Sequence, residues 1–110
     1  MKTSQLSDAL LHGGISDQIV ALRIEDHDYN VGAIEDLNGL TPTDTAITAA
    51  TFTTKPVVGI GLAVGLDTMQ DPNGEVQLYH HEYDAWYEVA EVFSQDGITI
   101  IRAGEPTCVG

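Results

Sequence analysis

The stretch at residues 75–103, EVQLYHHEYDAWYEVAEVFSQDGITIIRA, decides the fold, and the rest of the chain is organised around it. It carries the only Trp and three of the four Tyr, with five carboxylates from Glu75 to Glu91 and no Lys or Arg among them. Two readings compete for it. As a helix, Tyr83, Trp86, Tyr87, Ala90 and Phe93 recur at the three-and-four spacing of one buried face. As strands, residues 76–79 and 86–89 alternate, and Asp96-Gly97 offers the positive φ angles of a tight hairpin. Aromatic and β-branched residues dominate the second segment, which favours strands.

An internal comparison points the same way. Residues 19–38, IVALRIEDHDYNVGAIEDLN, hold a strand, an acidic turn containing His, and a second strand opening on Tyr. Val20-Ala21-Leu22 lies over Val76-Gln77-Leu78, and residues 29–34 over residues 87–92, with a longer acidic turn in the second copy. Each copy is followed by a further apolar run, at residues 57–64 and 98–103. The pattern predicts a pseudo-repeat of ββ units.

At 110 residues and 43% hydrophobic content the chain suits a single small domain with one modest core. Four Lys plus Arg stand against 17 Asp plus Glu, a formal charge of −13, which repels nucleic acid and anionic membranes. The Ile, Val and Leu content argues against disorder. A lone cysteine, Cys108, excludes an internal disulfide framework. With no basic segment before an apolar core at the start, and no apolar run long enough to span a bilayer, a cytoplasmic protein is expected.

Taken in order, residues 4–11 form an amphipathic helix that buries Leu6 and Leu10, with Thr3-Ser4 to cap it and Gly13-Gly14 to stop it. Residues 18–24 read as a strand, 25–28 as an acidic turn and 29–37 as a second strand. The opening MKTSQLSDALLHGGISDQIVALRIEDHDYNVGAIEDL resembles small phage and prophage proteins that begin with a Leu-patterned helix and then pair two strands. Those proteins mostly lack an assigned function, so the resemblance implies a context, a host-cell cytoplasm, and no chemistry. Residues 38–55 read as an irregular Thr-rich segment with an edge strand or a solvated loop around 47–53. Residues 57–64 read as a strand buried on both faces, 67–74 as a loop and 103–110 as a flexible tail.

Three chemical constellations are weak. Gly59-Ile60-Gly61 to Gly65 resembles a dinucleotide fingerprint, but its last glycine falls one position late and Asp67 would repel a phosphate. His80-His81-Glu82 and Asp26-His27-Asp28 have metal-ligand types, yet neighbouring residues on a strand face opposite sides, so His80 and His81 do not share an ion. His27 can meet one of them only if equivalent turns come together. No serine lies in a nucleophile elbow and Cys108 has no base nearby in sequence.

The acidic surface remains. Glu82, Asp84 and Glu88 share one strand parity, with same-face neighbours roughly 6.6 Å apart. Together with Glu91, Glu25, Asp26 and Asp28 they outline a partner-binding surface, with Trp86 as its apolar anchor and Tyr83 and Tyr87 beside it. A solvated face or salt adaptation would give the same composition. The expected fold is α+β, an N-terminal helix packed on a mostly antiparallel sheet of two related ββ units. The expected function is non-enzymatic and without cofactor: a phage- or mobile-element inhibitor, such as an anti-CRISPR protein, that mimics nucleic acid and blocks the basic groove of a host defence protein. The alternatives are a virion accessory or assembly protein, with the Thr-rich segment and tail as docking arms, and a metal-dependent enzyme built on the His-rich turns.

Overall fold

The computed structural model describes residues 2–12, 17–36, 45–50, 55–68 and 75–109. The elements follow in the order α1 (Thr3–Leu11), β1 (Ile19–Ile24), β2 (His27–Asp36), β3 (Thr45–Ala49), α2 (Gly59–Asp67), β4 (Val76–His80), β5 (Ala85–Gln95) and β6 (Ile98–Val109). The six strands close into a barrel in sequence order, with β6 returning to β1. This corrects the expected helix on an open sheet. The β3–β4 and β6–β1 pairs are parallel and the other four antiparallel. Closure gives every strand a partner on both sides and leaves no edge to protect.

The repeat is real in geometry but larger than a ββ unit. Each half is a helix followed by a three-stranded meander, and the halves correspond pairing by pairing. Leu22 faces Tyr29 as Leu78 faces Tyr87. Thr45 lies beside Val76 as Thr99 lies beside Val20. Both second strands slip register at matching places, between Val31 and Ala33 and between Val89 and Glu91. The matched bulges add local twist, which helps a six-stranded sheet curl shut. The helix starts match too: Lys2 bridges Glu75 while Val58 bridges Ile19, so each helix begins against the first strand of the other half.

Residues 57–64, read above as a buried strand, lie mostly in α2. With every strand position filled, the run instead buries Gly59, Leu62, Ala63 and Leu66 at helical spacing. It provides the crossover that the parallel β3–β4 pair requires. Gly65 lets it sit close to β2, where an added Cβ would come within 2.6 Å of Ile34 Cδ1. In α1, Leu6 and Leu10 are buried as expected, but the cap is Lys2, whose N–H donates to Gln5 Oε1 at 2.8 Å. Gly13-Gly14 lies outside the described residues.

Both helices lie where β1 and β4 begin, and Leu6, Leu10, Leu62 and Leu66 join the barrel's interior residues in one core. Ser7 Oγ donates to Asp67 Oδ1 at 2.8 Å, tying the helices together. They close the base of the barrel. The interior is lined by one parity of each strand: Val20, Leu22 and Ile24 from β1, for example, and Val76, Leu78 and His80 from β4.

Two further expectations need correction. The Thr-rich segment supplies β3, a barrel strand flanked on both sides, rather than an edge strand or loop; residues 51–54 lie outside the described residues. The stretch from 103 continues as β6, whose register with β5 runs to Val109 opposite Ala85. Among the described residues no helix is long and apolar enough to cross a membrane.

Candidate functional site: the acidic mouth of the barrel

Strands β1 and β4 run the same way, so the turns that follow them emerge at the same end, opposite the helices. Glu25-Asp26 forms one turn and residues 81–84 the other. Glu25 and Asp26 take φ of 52° and 64°, as the tight turns that suit hairpin twist require. Neither is glycine, whereas the β5–β6 turn pairs a left-handed Asp96, at φ 54°, with Gly97 at φ 80°. Asp84 is also left-handed, at φ 47°. Left-handed backbone in non-glycine residues is costly and tends to persist at functional sites.

Between the turns the top of the barrel interior is aromatic. His80, fully buried, stacks on Tyr83 with ring centroids 3.9 Å apart and meets the edge of Tyr29 at 4.7 Å. The Tyr83 backbone N–H donates to His80 Nδ1 at 3.3 Å, so the neutral ring carries its proton on Nε2, which has no partner among the described residues. Burial holds His80 below the usual histidine range, while the nearby Glu82 charge works against that shift. Burial, aided by a hydrogen bond with Tyr83, pushes the Tyr29 phenol up to about 12. The Tyr87 hydroxyl donates to Glu25 Oε1 at 3.4 Å, a long contact that links the first turn to β5. Burial, with the Glu25 charge second, raises the Tyr87 phenol.

A hollow of about 300 Å³ opens here, lined by Glu25, His27, Tyr83 and Tyr87. A neighbouring groove of about 320 Å³ differs in charge, because Arg23 and Arg102 line it along with Glu25, Asp26 and Glu105.

The expected partner-binding residues separate into three groups. Glu25, Asp26, Glu82 and Asp84 gather in the mouth turns, where among the described residues none is in an ion pair. Glu82 and Asp84 precede β5, so the expected carboxylate ladder with Glu88 along one strand does not exist. Trp86 and Glu88 lie on the outer flank of β5. There the Trp86 ring is 4.5 Å from that of Tyr79, whose hydroxyl donates to Asp84 Oδ1 at 2.7 Å and is raised by that bond. Trp86 is half-buried on this flank and does not belong to the core. Asp28 and Glu91 are neutralised. Arg23 holds Asp28 through two bonds of 2.8 and 3.2 Å and lowers its carboxyl, and Arg102 Nε reaches Glu91 at 2.7 Å.

Among the metal-type residues, His80 faces the interior while His81 is exposed. Among the described residues no three His, Cys, Asp or Glu side chains are placed to hold one ion. Sequence reasoning missed His80, Tyr29 and the Glu25–Tyr87 link. A usable signal for the first existed in the alternation Val76, Leu78, His80, which puts all three on one face. Comparison with family models, with characterised proteins and with solved structures finds no match.

Proposed function

We propose that this is a non-enzymatic acidic binding protein that presents the mouth of its barrel to a basic protein partner. One observation carries the reading: four carboxylates without ion pairs among the described residues, Glu25, Asp26, Glu82 and Asp84, lie in two turns at one end of the barrel, where Glu25 lines a hollow with Tyr83 and Tyr87. The charge accelerates encounter through long-range attraction, and the tyrosines supply the desolvated contact that slows release. Left-handed backbone retained at Glu25, Asp26 and Asp84 fits a surface kept for contact at some expense of stability. Blocking the nucleic-acid groove of a host defence protein is one specific form of this reading, since such a groove offers the complementary charge.

The test is capture of partners from host lysate by the wild type and by the E25Q/D26N/E82Q/D84N variant, at low and high salt. Amides keep the side-chain shape, and Asn tolerates left-handed backbone, so the variant should melt at or above the wild-type temperature. A basic partner bound at low salt, lost at high salt and lost by the variant supports the reading. Identical capture by both proteins refutes it.

A second reading, an assembly or virion accessory subunit, draws on the opposite end. There α2 exposes Ile60 (50%) and Val64 (58%), next to Val58, Ile19 and Ile98. A helix apolar on its outer face as well as its inner one suits a subunit contact. On this reading the wild type self-associates by light scattering and Val64→Asp is monomeric; a monomeric wild type removes it.

A further inference from the structure

We propose that the hollow between the two mouth turns is a receptor for a single arginine side chain of the partner. This rests on the reading of the mouth as a basic-partner surface, and it names the group that enters.

The walls suit a flat cation. Tyr83 has one face against His80 at 3.9 Å and is still 48% exposed, so its other side is open to a stacking group. Tyr87, only 4% exposed, turns its hydroxyl toward Glu25 and not to solvent. Its 3.4 Å contact with Glu25 Oε1 is too long to satisfy that carboxylate, and Glu25 has no other hydrogen-bond partner among the described residues. A guanidinium entering here would stack on Tyr83 and offer its N–H fork to Glu25, a pairing that strengthens as water leaves. An ammonium would gain the charge but not the planar stack or the fork, so arginine is preferred to lysine.

Placement of the few cations in the chain supports this. No Lys or Arg lines the hollow, whereas the neighbouring groove holds both Arg23 and Arg102. Those two guanidiniums are occupied on the outer wall, by Asp28 and Glu91. Glu25 borders both the groove and the hollow, and within the hollow no Lys or Arg stands beside it. The volume of about 300 Å³ is ample for one guanidinium head.

The experiment titrates the protein with Nα-acetyl-arginine methylamide, and separately with its neutral analogue Nα-acetyl-citrulline methylamide, following ring signals by NMR at low salt. Saturable shifts at Tyr83, Tyr87 and His27 with the arginine probe alone are expected. Glu25→Gln should weaken the response about tenfold, the loss of one charge-assisted bond. Tyr83→Leu, which removes the stacking ring but keeps apolar cover over His80, should weaken it as well. Equal shifts with citrulline, or an undiminished response in Glu25→Gln, would overturn the proposal. Poly-arginine separates the two levels of inference. Salt-sensitive poly-arginine binding by both wild type and Glu25→Gln, without a response to the single amino acid, rejects the hollow and leaves the acidic mouth standing. No binding of either probe rejects both.

Discussion

His80 makes the stability of the barrel depend on pH in a direction that can be worked out beforehand. The ring is fully inaccessible, lies near the barrel rim and sits between Tyr29 and Tyr83, with Nδ1 already used as an acceptor. Protonation in the folded state would put a charge among aromatic rings and turn Nδ1 from acceptor to donor against the Tyr83 N–H. The folded-state pKa is therefore depressed, with burial as the largest cause. In the unfolded chain His80 titrates near 6.5. Above that pH neither state is protonated and the contribution is constant. As pH falls below it, the unfolded state gains a proton that the folded state refuses, so stability is lost until the folded pKa is reached. The slope in that window is at most about 1.4 kcal/mol per pH unit, about 5 °C in melting temperature for a chain of this size. His80→Phe keeps a ring in the stack, removes the unpartnered Nε2 and cannot titrate. Urea unfolding of both proteins from pH 7.5 to 5.0 should show the wild type losing stability relative to His80→Phe as pH falls below about 6.5, by at most about 1.4 kcal/mol at pH 5.5. Parallel curves would refute the depressed pKa. A wild type that gains on acidification would show that Glu82 outweighs burial.

Two other expectations concern the frame. Leu10 is fully buried where the helices close the base, so Leu10→Ala should cost about 2 to 5 kcal/mol by chemical denaturation, and a loss under about 0.5 kcal/mol would place it outside the core. The two tight turns should respond oppositely: Asp26→Gly relieves a left-handed residue and should stabilise by about 1 kcal/mol, while Gly97→Ala imposes one and should destabilise by a similar amount. Equal shifts of the same sign in the two melts would contradict the strain assigned to the first turn.

What could be read from the sequence was local. The alternation within residues 76–79 and 86–89 gave the β4–β5 hairpin, and the Leu spacing gave α1, because each signal lies within one element. The correspondence of residues 20–22 with 76–78, and of 29–34 with 87–92, hinted at duplication. Closure left no such mark. It depends on β1–β6 and β3–β4 pairings between distant segments, and parallel neighbours need no turn to announce them. Residues 57–64 misled because apolar residues on every side fit a buried strand as well as a helix at a barrel base. Gly104-Glu105-Pro106 misled because turn-type residues also occur in an irregular strand next to a bulge. At the mouth, the carboxylates were visible as composition, but their convergence depended on β1 and β4 running the same way. His80 looked solvated because His81 and Glu82 follow it.

The interlocking of the halves bears on how the protein is made. The first meander, β1 to β3, leaves the ribosome with both outer strands unpaired, and its β1 edge finds its partner only when Ile98–Val109 has been synthesised. Until then it has no complete second meander to close it, and such edges invite pairing with other chains. The first half is thus a nascent sheet waiting for a late strand, and with so many of its contacts linking distant residues the chain should fold slowly for its length. A pause in translation before β6 would lengthen the interval in which neighbouring nascent chains can exchange meanders, and the expected by-product of crowded synthesis is a swapped dimer.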